Sequence, residues 1–332
     1  MSITVTCYSS SRKPEEAEIR KEIAALVQSL DGILVEIPIE EDAELLRQFS
    51  GKTPVLRSGP FTLASPFTLS DAEVMIRTAA QRASTLSGEK DPTYTRRVIR
   101  SQSITRGDRF GLWISHNYVW AILVLLIVFL GLPFLAPVLE KNGNDGLART
   151  IYAIYKPLCH QLAFRSYFLF GEQPYYPREL AHLSGLLTYE QISGTSLIDV
   201  QQARNFIGNA LYGYKVGLCE RDVAIYGSVI LFGFLFQLTG RKMKQIHWAF
   251  WILIAIVPIG LDGFSQLPGM MVNPPVWMPI RESTPLLRTI TGALFGFFSA
   301  WFVFPLFEES VSATRVELLR KIAVVNKIEG RV

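Results

Sequence analysis

From Phe110 to Leu139 the chain runs for thirty residues without a single Asp, Glu, Lys or Arg. A helix needs roughly 20 apolar residues to cross the hydrocarbon core of a bilayer. Inside that core the backbone must satisfy its own hydrogen bonds, so such a run folds as a spanning helix. Trp113, Tyr118 and Trp120 lie near its start, where an aromatic belt is expected. Three further uncharged runs follow, 223–240, 245–261 and 289–307. Four or five spans of this size use only about a third of a 332-residue chain, which excludes a large transporter.

The remainder is of another kind. The average of 49% hydrophobic and 19% charged residues is a mixture of a water-soluble part and a membrane part. Residues 1–90 carry 10 Lys and Arg against 13 Asp and Glu, and hold no span. Glu15, Glu16, Glu18 and Glu22 interrupt residues 1–30, so no signal peptide is expected there. Residues 91–109 carry five Arg against two Asp and no apolar periodicity. The expected organisation is a soluble domain over 1–88, a basic linker over 89–109, and a transmembrane domain over 110–309. That domain has an external insert at about 171–216, and an amphipathic cytoplasmic tail follows over 310–332. The small net charge of +4 gives no support for a nucleic-acid partner. Three cysteines cannot staple a secreted framework.

Within 1–88 the pattern predicts strands at 3–8 and 33–37, helices at 15–30 and 41–49, strands opening at Thr53 and Phe61, and a helix from Ser70. This βαβαββα order in about 80 residues resembles a glutaredoxin or thioredoxin domain. The resemblance rests on Val5-Thr6-Cys7-Tyr8-Ser9 and on the stretch Leu45 to Leu56, which contains Gly51-Lys52-Thr53-Pro54-Val55. It implies a cis peptide between Thr53 and Pro54. Glutaredoxin chemistry needs a low-pKa thiolate at the start of the first helix, usually in Cys-x-x-Cys. Here Ser10, Ser11, Arg12 and Lys13 stand at that place, and Cys7 lies on the strand before it. Glutaredoxin activity is therefore not expected. A degenerate domain that binds a protein partner is the reading left open.

Lys and Arg flank the runs on one side: the basic linker, then Arg241, Lys242 and Lys244, then Arg315, Arg320, Lys321 and Lys327. With four spans this places both termini in the cytoplasm of a cell with an inner membrane, and 140–216 and 268–285 outside. The stretch 151–170 reads as an interfacial or partly inserted helix, and 198–207 as a short helix. Gly292, Gly296, Ser299 and Ala300 form a small-residue stripe that points to close helix packing. Val316, Leu319, Ile322 and Ala323 give the tail an apolar face, read as lying on a surface.

Ionisable residues gather at the outer boundary of this topology: Cys159-His160-Gln161 with Arg165, Cys219-Glu220-Arg221-Asp222, Asp262 with Gln266, and Arg281-Glu282 with Arg288. Charges at that depth are costly and normally face inward and pair. The strings Cys-His-Gln-x-x-x-Arg-Ser, Cys-x-Arg-Asp, Asp-Gly-x-x-Gln and Arg-x-x-Thr-Gly resemble an uncharacterised family of small bacterial and archaeal integral membrane proteins, a domain of unknown function. The likeness covers about 145–307. The family pattern often has Cys where Asp222 stands, giving Cys-x-x-Cys, and no established activity comes with it.

Three readings of the cluster stay open. Cys159, His160, Cys219 and Asp222 would suit zinc or another thiophilic metal. Cys159 and Cys219 could instead form a disulfide on an oxidising face. The third reading is an ion-pair network of Arg165, Arg221 and Arg281 against Asp222, Asp262 and Glu282. His116, His182 and His247 are isolated. No Walker loop, dinucleotide fingerprint, His-Glu-x-x-His or Gly-x-Ser-x-Gly occurs. The expectation is a bilayer-embedded binding or assembly protein with a metal or thiol site, the alternative being a membrane-bound redox or hydrolytic enzyme.

Overall fold

The computed structural model describes residues 3–88, 100, 103–195, 199–271, 276–277 and 279–330. Most of the expected basic linker (89–99 and 101–102), residue 198 of the expected short helix and part of the 268–285 loop lie outside the described residues. The chain divides into two compact units, one of Met1–Asn117 with Glu309–Val332, the other of Tyr118–Glu308.

The first unit is a mixed α/β fold. Its elements are β1 (Thr4–Ser9), α1 (Glu16–Ser29), β2 (Ile33–Pro38), α2 (Ala43–Phe49), β3 (Val55–Ser58), β4 (Phe61–Ala64) and α3 (Leu69–Gly88). The strands form one sheet in the order β2-β1-β3-β4. β1 and β2 run parallel, with Thr4 opposite Ile33, while β3 and β4 are antiparallel to their neighbours. Asp42 caps α2, its carboxylate accepting the Glu44 N–H at 2.8 Å, so that helix begins later than the sequence pattern implied.

Both faces of the sheet are covered, which is why Val5, Thr6, Cys7 and Tyr8 are all buried. On one face Val5, Cys7 and Leu56 pack with Ile23 and Val27 of α1 and Ile76 of α3. On the other, Tyr8, Val35, Ile37 and Val55 pack with Leu45 and Phe49 of α2 and with Val316. Leu319 and Ala323 join that second cluster. This corrects the surface reading of the tail. Its apolar face covers a sheet, because the sheet's second face needs more apolar cover than the seven-residue α2 supplies. Thr53–Pro54 is cis, as is Ser65–Pro66.

Among the described residues, three helices are long and apolar enough to cross a membrane: α4 (Arg106–Lys141), α8 (Glu220–Leu238) and α10 (Pro285–Ile328). A shorter apolar helix, α9 (Trp248–Phe264), carries a π-helical stretch at Ile252–Ile256, which ends two residues before Pro258. Proline has no N–H to give to the ladder, which accounts for the local change of pattern. The lipid-type surface is plain on α4, where Val124, Leu125 and Val128 are 58%, 69% and 54% exposed. α10 is one unbroken helix of 44 residues. Glu308 and Glu309 do not end it, since charges alone do not break a helix and no Gly follows before its end.

Between α4 and α8 lies a small folded module. It comprises α5 (Asp145–Tyr155), β5 (Ser166–Leu169), α6 (Tyr189–Ser193), α7 (Val200–Asn205), β6 (Gly208–Asn209) and β7 (Gly213–Cys219). Its sheet order is β5-β7-β6, all antiparallel. Phe164, Phe168, Tyr176, Tyr189 and Ala203 form its core. Two expectations change here. The helix expected over 151–170 ends at Tyr155, next to Lys156-Pro157, and the rest becomes a loop and a strand. The residues expected as a separate insert share a core with 162–168.

Candidate functional site

Cys219 ends β7 and caps α8, its Sγ accepting the Asp222 N–H at 3.4 Å. The Sγ of Cys159, in the loop after α5, accepts the Cys219 N–H at 3.3 Å. Cys159 Sγ, Cys219 Sγ and an Asp222 carboxylate oxygen all lie within 4.8 Å of one another, and both thiols are free. The neighbouring Cys159 thiol first, and burial second, push the Cys219 thiol up, so any metal bound there must displace its proton.

The loop carrying Cys159 is held from behind by Gln161. That residue is buried, adopts the left-handed conformation (φ 52°), and donates through Nε2 to the carbonyls of Tyr152 and Gly217, both at 3.0 Å. The three potential ligands face a cavity of about 410 Å³, whose wall also includes His160, Gln161, Arg165, Arg221, Gln266 and Arg288. His160 is exposed and stands outside the cluster of ligand atoms.

One wall of the cavity is an ion-pair network. Arg288, only 2% exposed, meets Glu282 and, at 3.2 Å, Glu220. It also donates to the carbonyl of Phe164 at 3.3 Å and to Gln266 Oε1 at 3.4 Å. Arg165 grips Glu282 with two bonds of 2.8 and 3.0 Å. Asp262 pairs with Arg221 and lies 3.6 Å from Arg281, which donates to Ser265 Oγ at 2.8 Å. The starts of α8 and α10, the end of α9 and the module are tied together by these bonds.

The structure therefore brings nearly all the sequence-selected residues to one place, with changed roles. Asp222 sits with the thiols and has no salt bridge among the described residues. Glu220 and Arg178, which the sequence reading left outside the network, belong to it. Arg178 lies 3.6 Å from both Glu282 and Glu190. The signal for Glu220 was its place beside Arg221 at the mouth of a span; for Arg178 the sequence held none.

In the first unit Cys7 is fully buried in the sheet, and burial, then Glu36, pushes its thiol up to about 12. At the position where a glutaredoxin keeps its thiolate, Ser10 donates through Oγ to Glu40 at 2.6 Å. Its N–H reaches Glu16 at 3.1 Å. Thr53 Oγ1 donates to the same Glu16 at 2.7 Å, and Pro54 is buried beside it. His116 Nε2 is 3.0 Å from Asp42, while His182 and His247 are not part of the metal-type cluster.

Helices of this length and surface, joined around a polar cavity, are those of an integral membrane protein. The comparisons agree at that level. The family described as "Predicted membrane protein (DUF2085)" matches residues 199–302. The chain is also similar to an uncharacterized protein, MJ1492, of Methanocaldococcus jannaschii, with 25% identity over 204 residues, covering 59% of this chain and 96% of that protein. No solved structure matches.

Proposed function

We propose that this is a multi-pass inner-membrane protein whose outer-face cavity binds a thiophilic metal ion, in a binding or assembly role. The carrying observation is the convergence of Cys159, Cys219 and Asp222 donors within 4.8 Å on a cavity wall. Zinc–sulfur bonds of about 2.3 Å in a tetrahedron put donor atoms roughly 3.8 Å apart, a small adjustment from this spacing. Two thiolates and one carboxylate leave a fourth position facing the cavity, the pattern of an open site rather than a closed structural one. His160 lines the same cavity but stands outside the donor cluster, which keeps that fourth position open.

The four-span topology rests on counting α9 as a span. Its 17 residues extend about 26 Å, at the short end of what crosses a bilayer. Both termini are then cytoplasmic by the placement of Lys and Arg. For the first unit we propose a thioredoxin-like fold without redox function. The sheet order β2-β1-β3-β4 with only the β1–β2 pair parallel supports the fold. The buried, high-pKa Cys7 and the Ser10–Glu40–Glu16 network argue against thiol chemistry there.

Metal analysis of purified wild-type protein and of Cys159→Ser tests the central reading. Stoichiometric metal in the wild type and its loss in the variant is the expected result. Metal-free protein with a Cys159–Cys219 crosslink on non-reducing peptide mapping would overturn it. That crosslink is the outcome the redox alternative requires, and the adjacency of the two thiols is what favours that alternative.

A further inference from the structure

A second cavity, of about 200 Å³, lies on the other side of Gln161, within the 145–219 module. Its wall includes Arg149, Lys156, Arg204 and Lys215 and no acidic residue. The contrast with the first cavity is chemical. There every buried arginine meets a carboxylate; here four cations converge without one. Glu140, outside the cavity wall, lies within electrostatic range of Arg149, which is exposed.

Lys215 is the unusual member, since it is only 1% exposed. Its ammonium donates to the carbonyls of Gln161 and Arg204, both at 2.8 Å, which uses two of its three protons. Burial pulls its pKa down to about 7, against the opposing effect of the Cys159 thiol and with Lys156 and Arg204 acting in the same direction as burial. Arg204 uses Nη2 to reach the Lys156 carbonyl at 2.5 Å, while its buried Nε has no hydrogen-bond partner among the described residues. Lys156 reaches Asn205 Oδ1 at 3.2 Å. Buried charges are normally paired, and a buried donor without a partner is costly. An anion in this cavity would supply both needs.

We propose that this cavity is a binding site for a phosphate-type oxyanion, held by Lys215 and Arg204 from the buried side and by Lys156 and Arg149 at the opening. A volume near 200 Å³ is below that of ordinary drug-sized pockets and suits a small tetrahedral anion or a phosphate headgroup. Arginine's fixed fork and a lysine point charge are the usual donors for such a group. The inference does not depend on the metal reading, because none of the four cations is a potential metal ligand.

The test uses the full chain, purified and followed by calorimetric titration and thermal unfolding at constant ionic strength. One arm titrates inorganic phosphate against chloride. The other compares nanodiscs of phosphatidylcholine with nanodiscs containing phosphatidylglycerol. Saturable phosphate binding assigns the site to a free anion. Stabilisation by phosphatidylglycerol alone assigns it to a lipid headgroup. In either case the double variant Arg149→Gln/Lys156→Gln is expected to weaken binding about tenfold or more. Both side chains are outside the buried core, so its elution and its midpoint in chloride should match the wild type. Arg204→Gln, which removes the buried donor, should weaken binding further. Binding in neither arm, or binding that the double variant leaves unchanged, overturns the proposal.

Discussion

Cys7 and Arg288 show how burial assigns a residue its chemistry. Burial and Glu36 raise the Cys7 thiol from 9.0 to about 12. At pH 8 only about one molecule in ten thousand then carries a thiolate. Iodoacetamide at pH 8 should leave Cys7 unmodified in folded protein and modify it in denaturant; labelling of the folded state would contradict this. The pH dependence has a definite sign. Below pH 9 both folded and unfolded states hold the proton, and the thiol adds no slope. Between pH 9 and 12 the unfolded state loses it first, so stability falls as pH rises. The unfolding midpoint of wild type should fall more steeply over that window than that of Cys7→Ala. Arg288 is the opposite case, a buried cation with two acidic partners. Arg288→Met leaves Glu220 and Glu282 under-compensated and should cost about 3–5 kcal/mol. Arg281→Gln removes a partner of Asp262 that is 43% exposed, and should cost less than about 1 kcal/mol. Detergent-solubilised unfolding of the two variants measures the difference, and equal losses would refute the assignment. Sequence reasoning grouped Arg288 with the other charged residues through span boundaries. It could not reach Arg178 or Lys215, whose roles come from partners tens of residues away in the chain.

At the scale of elements, α10 does two jobs. In its first half Gly292 and Gly296 face α8: a Cβ on Gly292 would sit 2.6 Å from the Arg221 carbonyl, and one on Gly296 would strike the Ile225 carbonyl and Ser228 Oγ. The small-residue stripe is thus a packing surface, and Ser299 accepts the Trp251 indole N–H at 3.0 Å. Gly296→Leu should destabilise the bundle by roughly 1–3 kcal/mol or more, as overpacking does. Gly131→Leu on α4, where nothing lies within 4 Å of a new Cβ, serves as the neutral control. A matching midpoint for the two variants would show that the stripe does not pack as described. In its last part α10 carries Val316, 4% exposed, against the sheet of the first unit. Arg320 donates to Thr6 Oγ1 at 3.1 Å from the same stretch. Val316→Asp buries a charge without a partner there and should make the first unit sensitive to proteolysis. Unchanged protease resistance would return the tail to the surface role that its amphipathic pattern first implied.

For the molecule as a whole, topology is the prediction that decides most. With α4, α8, α9 and α10 all crossing, an epitope after Val332 should be protected in intact cells. An epitope inserted at Gly185, in the exposed loop before α6, should be accessible from outside. Exposure of the first, or protection of the second, would mean that α9 does not cross. Protection at Gly185 would also move the 145–219 module, and both cavities with it, to the cytoplasmic side and change which ions and headgroups they meet.

The sequence alone determined the division into an α/β part and a helical membrane part, because uncharged runs, their lengths and strand periodicity are local properties. It also grouped Cys159, Cys219, Asp222 and the paired arginines, since the ends of spans share a membrane depth. Tertiary structure decided what proximity in three dimensions controls. It joined two thiols and a carboxylate while leaving His160 aside. It turned an expected insert into a folded module, laid the tail over a sheet, and gathered four cations around a second cavity. Burial and pairing set the charge and reactivity of those groups, and no spacing within a single segment encodes them.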